Sequence, residues 1–157
     1  MPQDGRYMRL AIHQARSNFK SLNGGPFGAC IVKGKRVLAV AKNEVLKKDA
    51  TCHAEINAIR IASKKLKSFN LTGCVIYSTT EPCPMCFAAI HWARINTIVY
   101  GSSVSGARKI GFNELDITNR KMKAACKATV KIRRSTLAGE CDKLFEDWAR
   151  LPRKIVY

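Results

Sequence analysis

The chain has 157 residues, 46% of them apolar, with 28 lysines and arginines against 11 acids for a formal net charge of +17. That length fits one domain whose core needs no covalent staples. No run approaches the roughly 20 apolar residues of a membrane span, and the opening MPQDGRYMRL lacks the apolar segment of a secretory signal, so a cytoplasmic location is expected.

Met8, Ala11, Ala15, Phe19 and Leu22 recur at helical spacing, which predicts an amphipathic helix over 5–22. NGGPFG (23–28) breaks it. ACIV (29–32) and VLAVA (37–41) flank KGK and read as a hairpin. After a polar loop over 42–51, Thr51 is placed to cap a helix running to Leu66. CVIYST (74–79) predicts a strand, and Pro84 suits the first turn of a helix reaching Arg94. TIVYG (97–101) is a fourth strand, 103–114 reads as irregular, and ATVKI (128–132) is a fifth strand between helices near 116–125 and 139–150. Strands alternating with helices after a hairpin predict a single α/β domain over 1–157: a three-layer α/β/α sandwich around a mixed five-stranded sheet.

Seven cysteines form an odd count without a secretion signal, which argues against a disulfide framework. Cys30 and Cys74 sit in apolar runs and read as small core residues, and Cys52 reads as packing. The basic residues are scattered, without an arginine-rich block or interleaved aromatics. A solvated basic surface is the plainer reading, and a nucleic-acid partner is the alternative that +17 keeps open.

Two fragments carry chemistry. TCHAEINAI (51–59) places His53 and Glu55 in the first turn of a helix. EPCPMC (81–86) sets Cys83 and Cys86 three apart across a helix start. One imidazole and two thiols make the three protein ligands of a zinc site that keeps an open fourth position. The exposed amides of the helix start favour thiolate. His13 and His91 lie in ordinary helical surroundings, so no fourth ligand presents itself, and the site reads as catalytic with one Zn²⁺ per chain. Glu55, two residues from a ligand, is placed to move a proton to and from a metal-activated water. Singly, His53 reads as a core histidine, Glu55 as a surface acid and the cysteine pair as redox or zinc. Together they point to metal-assisted hydrolysis.

This combination resembles the zinc deaminases of the cytidine-deaminase superfamily, whose signature is H-x-E…P-C-x-x-C. Here it reads His53-Ala54-Glu55…Pro82-Cys83-Pro84-Met85-Cys86, and the likeness spans roughly residues 5–115. The resemblance implies a cytidine-deaminase-like fold and hydrolytic deamination, in which water activated by zinc displaces a ring amine as ammonia. It also implies that Glu55 is the proton carrier, and that the backbones of Cys83 and Ala54 help hold the reacting oxygen and the base. GGPFGACIV, IHWARI, IGFNELD and the terminal Tyr157 are similar to the bacterial guanine deaminase branch. That likeness implies a free purine base, guanine, as substrate and a homodimer whose C-terminal segment (151–157) is swapped over the partner's site. It further implies Asn43 as the residue that reads the base, and Tyr157 as a lid. Phe27 and Trp92 are candidate pocket walls, with core packing as the plain alternative for each. Glu114 stands where the branch carries an aspartate. Adenosine in tRNA, cytosine or guanosine are the alternative substrates, and a non-catalytic zinc-binding or RNA-binding module is the alternative from another class.

Overall fold

In the computed structural model, which describes residues 2–157, GACIVK and RVLAVAK pair as a hairpin of β1 (Gly28–Lys33) and β2 (Arg36–Lys42). Gly34 turns it at a φ of 58°, a left-handed conformation that glycine adopts without strain. Helix α1 (Pro2–Ser21) precedes the hairpin. There follow α2 (Ala54–Leu66), β3 (Cys74–Thr80), α3 (Pro84–Trp92), β4 (Thr97–Ser102), α4 (Val104–Lys109), α5 (Asn119–Ala125), β5 (Lys131–Arg134) and α6 (Ala138–Ala149). The strands form one sheet in the order β2-β1-β3-β4-β5. β1 is antiparallel to both neighbours, whereas β3, β4 and β5 are parallel.

Side-chain alternation along the strands splits the core in two. Ile31, Ile76 and Ile98 face one way, onto Ala58 and Ala62 of α2, Phe87 and Ile90 of α3 and Met122 of α5. Cys30, Val32, Tyr77 and Val99 face the other way, onto Met8, Ala11 and Ala15 of α1 and Leu144 of α6. The expected three layers are present, and Cys30 and Cys74 are fully buried in them.

Strand direction also sets the position of everything chemical. Gly28 pairs with Lys42, Ala29 with Ser78, and Thr80 with Ser102. The start of β1 and the carboxyl ends of β2, β3 and β4 therefore lie along one edge, where parallel α/β sheets bind ligands.

Three local expectations are corrected. The stretch 103–114 contains helix α4, because Val104 and Ala107 bury one side of it and Gly106 lets the Phe145 ring approach to 3.2 Å from where a Cβ would stand. The fifth strand is Lys131–Arg134 rather than 128–132. It is a mostly exposed edge strand, so the apolar run marks the loop that buries Val130 instead. The cap of α2 is His53, not Thr51, whose hydroxyl donates to Asp49 Oδ1 at 2.6 Å.

A Cβ at Gly28 would lie 2.0 Å from the backbone oxygen of Ala11. Gly28→Ala is expected to push α1 off the sheet and lower stability by about 1–3 kcal/mol, the usual cost of overpacking, as measured by urea unfolding.

Candidate metal centre and its cavity

His53 and Cys83 occupy the same structural position twice over. Each is the N-cap residue of its helix, in extended backbone, with no side-chain bond to the helix amides. The side chains are therefore free to point off the helix starts, and α2 and α3 pack so that the two starts converge. Cys86, one turn into α3, is buried beside them. Pro84 takes the first turn of α3, where its missing N–H is harmless.

His53 Nδ1 lies 3.6 Å from Cys83 Sγ, and one donor atom from each of His53, Cys83 and Cys86 falls within 4.8 Å of the others. A tetrahedral ion bonded at about 2.3 Å to sulfur and about 2.0–2.1 Å to nitrogen holds those two atoms roughly 3.6 Å apart. The three side chains thus fit zinc in both spacing and donor chemistry.

The donors also polarise one another. The neighbouring Cys86 side chain, aided by the His53 ring against burial, brings Cys83 down to about 4. Burial opposes charge on His53, but the Cys83 thiolate, Glu55 and Glu114 outweigh it and raise the ring to about 9. Cys86 is pushed up well above the ordinary thiol range, by its bond to Cys83 and by burial. At neutral pH the free site therefore holds one thiolate, one imidazolium and one thiol.

Glu55 is 6% exposed. Its Oε1 accepts from Ser78 Oγ at 2.9 Å, and its Oε2 lies 3.5 Å from Cys86 Sγ. Burial raises its carboxyl above the usual range.

These groups form one end of a cavity of about 290 Å³. Phe27 and Phe112 meet edge to face at 4.9 Å as its aromatic wall, and Phe112 meets Tyr157 at 5.3 Å. Asn43, Glu114 and Tyr157 line it too. Asn43 is 1% exposed and tightly held. Its backbone oxygen accepts from Asn18 Nδ2 at 2.8 Å, and its Oδ1 accepts from the Val45 amide at 3.1 Å and the Tyr157 hydroxyl at 2.6 Å. The Gly25 amide donates to that same hydroxyl at 2.9 Å. Gly24 is required here, because a Cβ would stand 2.0 Å from Asn43 Oδ1. The NGG segment is thus a seat for Asn43. The Asn113 amide donates to the Tyr157 carbonyl at 3.0 Å. Burial, then the nearby Cys83 thiolate, pushes Glu114 up to about 7.

Two expected site residues lie elsewhere. Trp92 is 74% exposed and does not line this cavity. It shares a helix face with Met85, which does line it, but stands seven residues on, roughly 10 Å along the axis. Ala54 is fully buried in the core and is not part of the cavity wall, which His53 and Glu55 supply on either side of it. Sequence reasoning passed over Phe112, Ser78 and Asn18. Phe112 follows Gly111, whose φ of 104° marks a sharp turn. The other two show no local signal.

A family model described as the cytidine and deoxycytidylate deaminase zinc-binding region matches residues 1–102. A guanine deaminase from Bacillus subtilis is 35% identical over 152 residues, covering 96% of this chain and 97% of the relative. A tRNA-specific adenosine deaminase from Buchnera aphidicola subsp. Schizaphis graminum is 30% identical over 153 residues, with 96% and 97% covered. A solved guanine deaminase structure from Bacillus subtilis matches with a TM-score of 0.67 at 31% identity, covering 98% of each chain.

The protonation pattern sets a calorimetric expectation. Loading zinc at neutral pH must strip protons from His53 and Cys86, so about two are released per ion and affinity falls steeply on acidification. Titration calorimetry in buffers of different ionisation enthalpy measures that number. Cys86→Ala and His53→Ala are expected to purify with almost no zinc by elemental analysis, and full occupancy would remove them from the ligand set.

Proposed function

The chain belongs to the cytidine and deoxycytidylate deaminase family of zinc-dependent hydrolases, and we propose that its substrate is a free purine base, guanine, hydrolysed to xanthine and ammonia. The observation that carries this reading is the seat of Tyr157 on Asn43 and Gly25. A bare bicyclic base fits beneath that tail in a cavity of about 290 Å³. A nucleotide within tRNA would have to bring its ribose and both flanking phosphates past it.

The chain's residues divide the work as follows. The Val45 amide can only donate, so it fixes Asn43 Oδ1 as an acceptor and leaves the side-chain NH₂ for a ring nitrogen or carbonyl of the base. Phe27 and Phe112, packed edge to face, offer one aromatic wall for the flat ring. His53, Cys83 and Cys86 would hold zinc, which when bound would supply a Lewis acid that brings the pKa of a water to near neutrality. Glu55 is placed to carry one proton of the attacking water to the ring nitrogen beside the amine-bearing carbon, and to pass the second, from the hydroxyl added to that carbon, to the departing amine. One water is consumed, one C–O bond replaces one C–N bond, and ammonia leaves. Glu114, held at about 7, can give or take a proton at neutrality and serves as the second carrier.

A second reading, adenosine in tRNA, is favoured by charge. Lys47 is exposed on the loop between Val45 and Ala50, and Lys109 just before Phe112, while Lys48 and Arg108 beside them are paired with Glu44 and Asp116. Phosphate contacts of this kind make binding fall steeply with salt.

An ammonia-release screen over guanine, adenine, cytosine, guanosine and tRNA separates the two readings. Guanine turnover with weak salt dependence is expected, and Glu55→Ala is expected to reduce it at least about 100-fold, within the range for loss of a general acid–base, while zinc content stays unchanged. Activity confined to tRNA and lost between low and moderate salt would replace guanine with the second reading.

A further inference from the structure

Ser78 is an oddity of the sheet. It stands on β3, the central strand, at 2% exposure, and points into the layer that Ile76 fills with hydrocarbon. A hydroxyl there must find a partner, because an unpaired one in an apolar layer is costly. Its partner is Glu55 Oε1 at 2.9 Å, and it donates to no other acceptor among the described residues. An ionised carboxylate only accepts, so in that form the bond runs from Ser78 to Glu55.

Among the described residues, the side chains that donate to Glu55 are Ser78 and Cys86. A thiolate bound to a metal has no proton to give, so ligation removes the Cys86 donor. Ser78 is then the side-chain donor that remains. Its backbone is locked between Ala29 of β1 and Tyr100 of β4, which makes it a rigid anchor for a flexible glutamate. Oε1 is engaged by Ser78, and Oε2 is left for the moving proton.

We infer that Ser78 is a positioning residue that fixes the rotation of the Glu55 carboxylate, so that one chosen oxygen faces the reacting groups. The inference rests on the reading of Glu55 as the proton carrier. It adds a residue outside the His-x-Glu and Cys-x-x-Cys segments to the catalytic apparatus.

The test has a structural arm and a kinetic arm. In crystals of the zinc-loaded protein, Glu55 is expected in a single conformation on Ser78 in the wild type, and in a rotated or split conformation in Ser78→Ala. In turnover, Ser78→Ala is expected to lower kcat by roughly 10–100-fold, as when an outer partner of a site residue is removed, with KM and zinc content little changed. Ser78→Thr, which keeps the hydroxyl, is expected to restore kcat. In a Glu55→Gln background, Ser78→Ala is expected to cost nothing further, since the two residues act as one unit. An unmoved carboxylate in Ser78→Ala overturns the inference, as does a kcat loss of equal size in both backgrounds. Failure of the guanine reading shows differently: the wild type then releases no ammonia from guanine, and the crystals still decide the role of Ser78.

Discussion

The arrangement depends on two helix starts meeting at one sheet edge. α2 and α3 each begin with a residue in extended backbone whose side chain does not cap its own helix, and these two residues are His53 and Cys83. A serine or aspartate at either position would fold back onto the helix amides. Histidine and cysteine instead leave those amides to polarise the site, and bring a nitrogen and a sulfur to 3.6 Å. Parallel pairing of β3 with β4, and antiparallel pairing of β1 on its other side, sends Asn43, Glu81 and Ser102 to the same edge. The pocket is therefore a consequence of strand direction, and the metal donors of helix packing.

What could be read from the residues divides along that line. His53, Glu55, Cys83 and Cys86 were legible because their relation within each pair is local: a spacing and a helix start. The layers were legible from the alternation of Ile31, Ile76 and Ile98 with Cys30, Tyr77 and Val99. Trp92 was misplaced because periodicity reports the face of a helix and not the end of it. Ala54, between two site residues, turns its side chain into the core, which leaves only its backbone toward the cavity side. β5 escaped because an exposed edge strand carries little apolar signal. Asn18 is in the middle of an ordinary amphipathic helix, yet its amide clamps the Gly25 and Asn43 carbonyls at 2.8 Å, which only the fold reveals.

The basic surface and the cavity pull toward different substrates, and they act over different distances. Charge of +17 governs what approaches, through a field that salt screens within about 8–10 Å. Discrimination between bases depends on the shape of a pocket and on its hydrogen bonds, where a missing partner is costly. A basic exterior is compatible with a small neutral substrate, since that field exerts little pull on guanine. A tail seated on Asn43 over the cavity is harder to reconcile with a polymer. For that reason the interior geometry weighs more than the net charge.

The tail also answers how a glutamate can stand where the resembling branch has an aspartate. Gly111 turns the chain sharply, Phe112 drops into the core, and the Asn113 amide is tied to the Tyr157 carbonyl at 3.0 Å. Glu114 follows directly and lines the cavity. The extra methylene is thus set by a backbone anchored to the tail rather than by free reach of the side chain. Tyr157 holds Asn43 through its hydroxyl and Asn113 through its carbonyl. The seated tail therefore ties Asn43 and the segment that carries Glu114 to one anchor at the same side of the cavity.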